Sequence, residues 1–205
     1  MKILSLNQFN EKLKANQISL SDLKDINVYN YHPKTKDELE QIIEERIKNE
    51  GPECDLNDID VSNIIDMSRL FNYSEFNGDI SKWDVSNVTD MHNMFDSSKF
   101  KGDISKWDVS NVTDMTCMFY SSKFKGDISQ WNVGNVTDMR FMFRYSKFDG
   151  DISKWNVSNV TNMNGMFYNS RFNGGISQWD VSNVKFMSNM FSGCPLENNP
   201  PAWYK

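Results

Sequence analysis

Six tryptophans constrain this chain more than any other feature: Trp83, Trp107, Trp131, Trp155, Trp179 and Trp203 fall 24 residues apart. Other slots keep step without one insertion or deletion. Phe76, Phe100, Phe124, Phe148 and Phe172 each stand four residues before Ile80, Ile104, Ile128, Ile152 and Ile176. The pairs Met94-Phe95, Met118-Phe119, Met142-Phe143, Met166-Phe167 and Met190-Phe191 hold the same spacing. A fixed period of this size marks a repeat architecture, in which a unit buries its apolar face only against its neighbours. The array extends backward in weaker form, with Ile59 in the tryptophan slot and Leu70-Phe71 in the Met-Phe slot. At the other end Pro200 and Pro201 cannot donate to a ladder and are expected to end the stack.

Within the unit Phe100 to Lys123, Asp103-Ile104-Ser105 reads as one short parallel strand. Asn111 reads as a helix N-cap with Asp114 as its capping-box partner, and Val112, Met115, Met118 and Phe119 as an apolar helical stripe. Ser121, Ser122 and Gly126 mark the return to the next unit. The expected fold is therefore α/β, about six 24-residue strand–helix turns over residues 54–205 with a C-terminal cap, behind an N-terminal capping region, 1–53. In that region Thr35 and Glu38 form a capping box for a helix whose apolar face is Leu39, Ile42, Ile43 and Ile47. Gly51 and Pro52 stop it. A helix near Leu6–Leu13 and a strand near Ile26–Tyr29 complete the reading.

The string W-D-V-S-N-V-T-D-M-x-x-M-F, followed by F-x-G-D-I-S, resembles the BspA-like leucine-rich repeats of bacteria, also known as the Mycoplasma-type repeated lipoprotein domain. The likeness runs from about residue 54 to 194, and Tyr31 through Ile47 is similar to the lead-in that precedes such repeats. It implies a leucine-rich-repeat-like solenoid, and roles in adhesion and protein binding for exported members. This chain differs in showing no lipoprotein signal and no N-terminal lipobox cysteine.

A net charge of -6 and a pI near 5.0 argue against nucleic acid and against an anionic membrane surface. No apolar run is long enough to span a bilayer, which argues against membrane insertion. Cys54, Cys117 and Cys194 are odd in number and lack CxxC spacing, so a reduced, cytoplasmic protein is expected. Cell-surface exposure is the alternative if a leader was removed. The only histidines, His32 and His92, lack an obvious nucleophile or metal partner, and no GxSxG, HExxH or P-loop pattern occurs. No enzyme, cofactor or metal site is expected.

Three periodic columns invite functional readings. Asp55, Asp79, Asp103, Asp127 and Asp151 could hold Ca²⁺ between turns, but Gly175 breaks the series. The structural alternative has them accepting turn amides or meeting Lys99, Lys101, Lys123, Lys125 and Lys147. The tryptophans could form a sugar-stacking platform, although their spacing with Ile and Val favours burial. The Asn-Val-Thr triplets at Asn87, Asn111, Asn135 and Asn159 match glycosylation acceptors and read better as helix caps.

Packing does not dictate the positions where the repeats disagree. These are the two residues after each methionine and the two after each Met-Phe. Tyr120, Arg140, Phe141, Arg144, Tyr145 and Tyr168 occupy them in the middle turns. On the outward side of the expected helices they would form one aromatic-and-arginine patch, of the composition enriched in binding hot spots. A non-enzymatic protein-binding scaffold is therefore the expected function, with another protein as partner. A surface adhesin or carbohydrate binder is the alternative.

Overall fold

The computed structural model describes residues 2–5, 11–12, 14–15 and 26–205. Lys2–Ser5 (β1) pairs in parallel with Ile26–Tyr29 (β2), so the strand expected there is present. The expected helix near Leu6–Leu13 lies mostly outside the described residues. After β2 the chain runs onto the first turn of the array. Tyr31 bridges Ile59, and the Asp60 amide donates to the Tyr31 carbonyl at 2.9 Å.

Lys36–Glu50 (α1) is the long helix of the described residues. Thr35 caps it, its hydroxyl accepting from the Glu38 amide at 3.2 Å. Glu38 reaches back past the cap to the Lys34 amide, 2.6 Å away. At the far end Gly51 takes φ 90°, and its amide closes the last turn onto the Ile47 carbonyl. Leu39 and Ile43 are buried against the array. Arg46 clamps the helix in place. Its guanidinium donates to both Asp58 carboxylate oxygens (2.8 and 3.1 Å) and to the Asp55 carbonyl (2.8 Å), and pairs with Glu50. Arg46→Ala should therefore lower stability by about 2 kcal/mol, read from urea denaturation, by removing these charge-assisted bonds.

The repeats stack, but not as strand–helix turns. The expected α/β, leucine-rich-repeat-like solenoid is overturned: from residue 51 onward the chain is built of tight turns joined by isolated parallel bridges, with no helix and no continuous strand. The hydrogen bonds give the reason. In the stretch Met115 to Ser122, the amides of Met118, Tyr120 and Ser122 bond three residues back, to the carbonyls of Met115, Cys117 and Phe119. Those of Met115, Cys117, Phe119 and Ser121 leave the unit and donate to Asp138, Arg140, Met142 and Arg144 of the next at 2.7–3.1 Å. An α-helix needs every amide for its own carbonyl four residues back. Here alternate amides serve the neighbour.

Two of these turns have a left-handed third residue, Cys117 (φ 54°) and Ser121 (φ 52°), as a type II turn requires. The helical reading of Val112, Met115 and Met118 was thus a misreading of successive three-residue turns. Asn111 is no cap; its Nδ2 donates to the Ser86 carbonyl of the preceding unit at 2.7 Å, as Asn87, Asn135 and Asn159 do in theirs. The bridges that run through the array join Asp66, Asp90, Asp114, Asp138, Asn162 and Phe186, the place assigned to the capping box; in the slot expected to be a strand, Asp55 and Asp79 alone are bridged. At Asp103-Ile104-Ser105 the backbone turns instead, with Trp107 bonding to the Ile104 carbonyl.

The slots expected to be interior are interior. Phe, Ile, Trp, both Val and the Met-Phe pair of the middle units are all buried. Successive Phe95, Phe119, Phe143 and Phe167 rings stack 5.6–5.8 Å apart. Each indole also donates to a carbonyl of the preceding unit, from Trp83 to Leu56 (2.9 Å) through Trp203 to Ile176 (3.0 Å). Each buried indole N–H from Trp83 to Trp179 is thereby satisfied.

The aspartate column has the structural role. Asp103, Asp127 and Asp151 each accept the amide of the serine two residues on at 2.9 Å. That amide first, then the same serine's hydroxyl, holds each carboxyl below its ordinary range. Lys99 pairs with Glu75 instead of these aspartates, and Lys101, Lys123, Lys125 and Lys147 gather around Gly126. A depressed carboxyl adds stability above its unfolded value, near 3.9, which is lost as pH falls through the folded value. The melting temperature should therefore hold from neutrality to about pH 5 and fall below about pH 4. Asn at 103, 127 and 151 should flatten that fall in a calorimetric pH series.

Candidate interaction surface

The variable positions do not lie on helices; they lie on the left-handed turns. The second residue after each methionine is Arg69, Asn93, Cys117, Phe141, Gly165 and Asn189, all at φ 54–60°. The second residue after each Met-Phe is Tyr73, Ser97, Ser121, Tyr145, Asn169 and Gly193, again all at positive φ. Asn and Gly suit this conformation, whereas a bulky side chain there strains the backbone. Phe141 and Tyr145 both accept that strain in one unit, as Arg69 and Tyr73 do in the first.

Five of the six residues expected in the patch meet. Arg144 lies between Tyr120 and Tyr168 in one column, with its guanidinium carbon 4.4 Å from the Tyr168 ring centre. It is also 5.0 Å from the Tyr145 ring and 5.1 Å from the Phe141 ring. Tyr145 sits edge-on to Tyr120 (5.6 Å) and to Tyr168 (5.7 Å). Arg144 Nη2 donates to the Tyr145 hydroxyl at 3.3 Å. That bond raises the affinity of Arg144 for its proton and lowers that of Tyr145. Arg140 stands apart, drawn to Asp138 (Nε to Oδ2 3.5 Å).

Reading the sequence missed the floor beside this cluster. A recess of about 340 Å³ opens between Phe141, Arg144 and Tyr168 on one side and Asn164, Gly165, Ser188 and Asn189 on the other. The Phe141 ring lies over Gly165 so closely that a Cβ there would be 2.8 Å from it. The signal was available: Gly165 is the next residue in the Phe141 column, 24 positions on.

No nucleophile emerges from the thiols. Burial, then Asp96, pushes Cys117 up to about 11, and burial raises Cys54 and Cys194 as well, so all three stay protonated at neutral pH. No helix among the described residues is long and apolar enough to cross a membrane.

No curated protein and no solved structure matches the chain. A family profile does, over residues 38–147 and again over 121–203, so that it takes in most of α1 and nearly all of the stacked turns. By that match the chain belongs to the family described as Mycoplasma protein of unknown function, DUF285.

Proposed function

We propose that the protein is a non-enzymatic scaffold that binds another protein through the patch of Tyr120, Phe141, Arg144, Tyr145 and Tyr168. One observation carries the reading. Phe141 and Tyr145 hold strained left-handed backbone in slots that other turns fill with Gly165 and Asn169, and both rings contact the same arginine. The turn takes left-handed backbone in every unit, so a bulky ring placed there, where Gly or Asn fits with less strain, points to use of that residue. Arginine held over aromatic rings is rigid before binding, so less side-chain freedom is lost on association. The likeness to BspA-like repeats supports protein binding too. The unpaired cysteines support a reducing, cytoplasmic setting. A sugar-stacking platform would need exposed tryptophans, and those side chains are 3–4% exposed from Trp83 to Trp179.

The test is capture of the partner by the native protein and by the Arg144→Ala, Tyr145→Asn double variant, with mass spectrometry. Asn already serves the Tyr145 slot at Asn169, so folding should be preserved to within about 1 kcal/mol. Loss of two hot-spot residues should weaken binding at least about 30-fold. Undiminished capture would remove the patch from the proposal.

A further inference from the structure

A second column of carboxylates runs through the stack, distinct from the one the sequence singles out. Asp66, Asp90, Asp114 and Asp138 occupy successive bridge positions, with backbones roughly 4.8 Å apart. Each turns Oδ1 to the amide two residues on, at 2.7–2.9 Å, so the four carboxylates are held side by side. Like charges at about 5 Å repel by near 1 kcal/mol in water and by more at the protein surface. The outer members are compensated. Lys36 Nζ lies 3.4 Å from Asp66, while Arg140 Nε (3.5 Å) and Asn162 Nδ2 (3.4 Å) face Asp138 Oδ2.

Among the described residues no Lys or Arg pairs with the inner two. What they have is His92, whose Nδ1 is 2.8 Å from Asp90 Oδ1. Ligand atoms of Asp90, His92 and Asp114 all lie within 4.8 Å of one another, and all three side chains are partly open to solvent. Oδ2 of Asp90 and of Asp114 accepts no hydrogen bond from the described residues. Thr116, which follows His92 in its column, has a buried hydroxyl oxygen with no hydrogen-bond partner. An uncompensated carboxylate pair and an imidazole thus meet at one junction between turns.

We propose that Asp90, His92 and Asp114 bind one divalent first-row transition ion, clipping two adjacent turns together. Imidazole with carboxylates suits Zn²⁺ and its neighbours over Mg²⁺ and Ca²⁺, which take oxygen ligands. Bonds of about 2.0–2.2 Å put ligand atoms roughly 3–3.5 Å apart, within reach of small side-chain rotations here. The ion takes the place of the His92–Asp90 hydrogen bond and cancels the repulsion between Asp90 and Asp114.

Isothermal titration of the full chain with ZnCl₂ tests this. One equivalent should bind, with a matching rise in melting temperature. His92→Ser and Asp114→Asn should each weaken binding at least tenfold. Both keep the fold, because Ser68 and Asn162 already fill those slots in other turns. Absence of binding by the native chain, undiminished binding by both variants, or loss of the site in Cys117→Ser or His32→Ala instead would overturn the assignment.

Discussion

Phe143→Ala is expected to destabilise the protein by about 3–5 kcal/mol, the range for emptying a large aromatic from a packed core. Phe143 is fully buried and touches rings on every side: Phe119 (5.6 Å), Phe148 (4.5 Å), Trp155 (6.3 Å) and Phe167 (5.8 Å). In a stack each unit holds only its neighbours, so a hole in a middle unit weakens two junctions at once. Phe191→Ala provides the comparison. That ring has Phe167 on one side and, on the other, only the closing residues Trp203 and Tyr204. Its replacement should cost less, because it weakens one junction and not two. Urea denaturation followed by both far-UV dichroism and tryptophan fluorescence separates the cases. Coincident transitions are expected for Phe191→Ala, and splitting into two for Phe143→Ala as the halves uncouple. Equal losses at the two sites would mean that the array melts as one block.

The period and the interior were legible, and the local backbone was not, for one physical reason. Side chains at Val112, Met115 and Met118 recur every third residue, which both a helix face and a run of three-residue turns produce. Burial therefore followed from the spacing, whichever backbone carried it. What separates the two is the left-handed slot, and Cys117, Phe141 and Tyr145 disguise it because such residues seldom adopt positive φ. Asn93, Gly165, Asn189, Asn169 and Gly193 in the same slots carried the missed signal. The patch could be found because it lies where repeats disagree; Gly165 lies among the same variable positions, and only the structure shows the Phe141 ring over it. His92 was passed over for a similar reason. Its partner Asp114 is 22 residues away in sequence, and only the stacking of turns brings the two together.

Gly78→Ala and Gly175→Ala should have opposite effects, although both glycines stand at the same corner of the repeat and neither has positive φ. A Cβ on Gly78 would fall far inside contact with the Cys54 carbonyl oxygen, and 2.8 Å from the Phe76 ring. That oxygen accepts the Asp79 amide at 3.2 Å, beside the Asp55–Asp79 bridge that joins the first two units. Neither neighbour can give way: one is backbone, and Phe76 is fully buried between Phe71 (4.6 Å) and Phe100 (6.1 Å). Relief must come from separating the first unit from the second, at about 3 kcal/mol, the upper part of the range for overpacking. Hydrogen exchange should then quicken at Leu56 and Asp79, whose amides span that junction, and leave Met139 and Phe143 protected. At Gly175 a Cβ meets nothing within 4 Å. Alanine there only restricts the unfolded chain and should stabilise by about 0.4–1 kcal/mol. A destabilised Gly175→Ala would mean that loss of glycine flexibility matters at this corner, and a neutral Gly78→Ala that the first junction is looser than its contacts require.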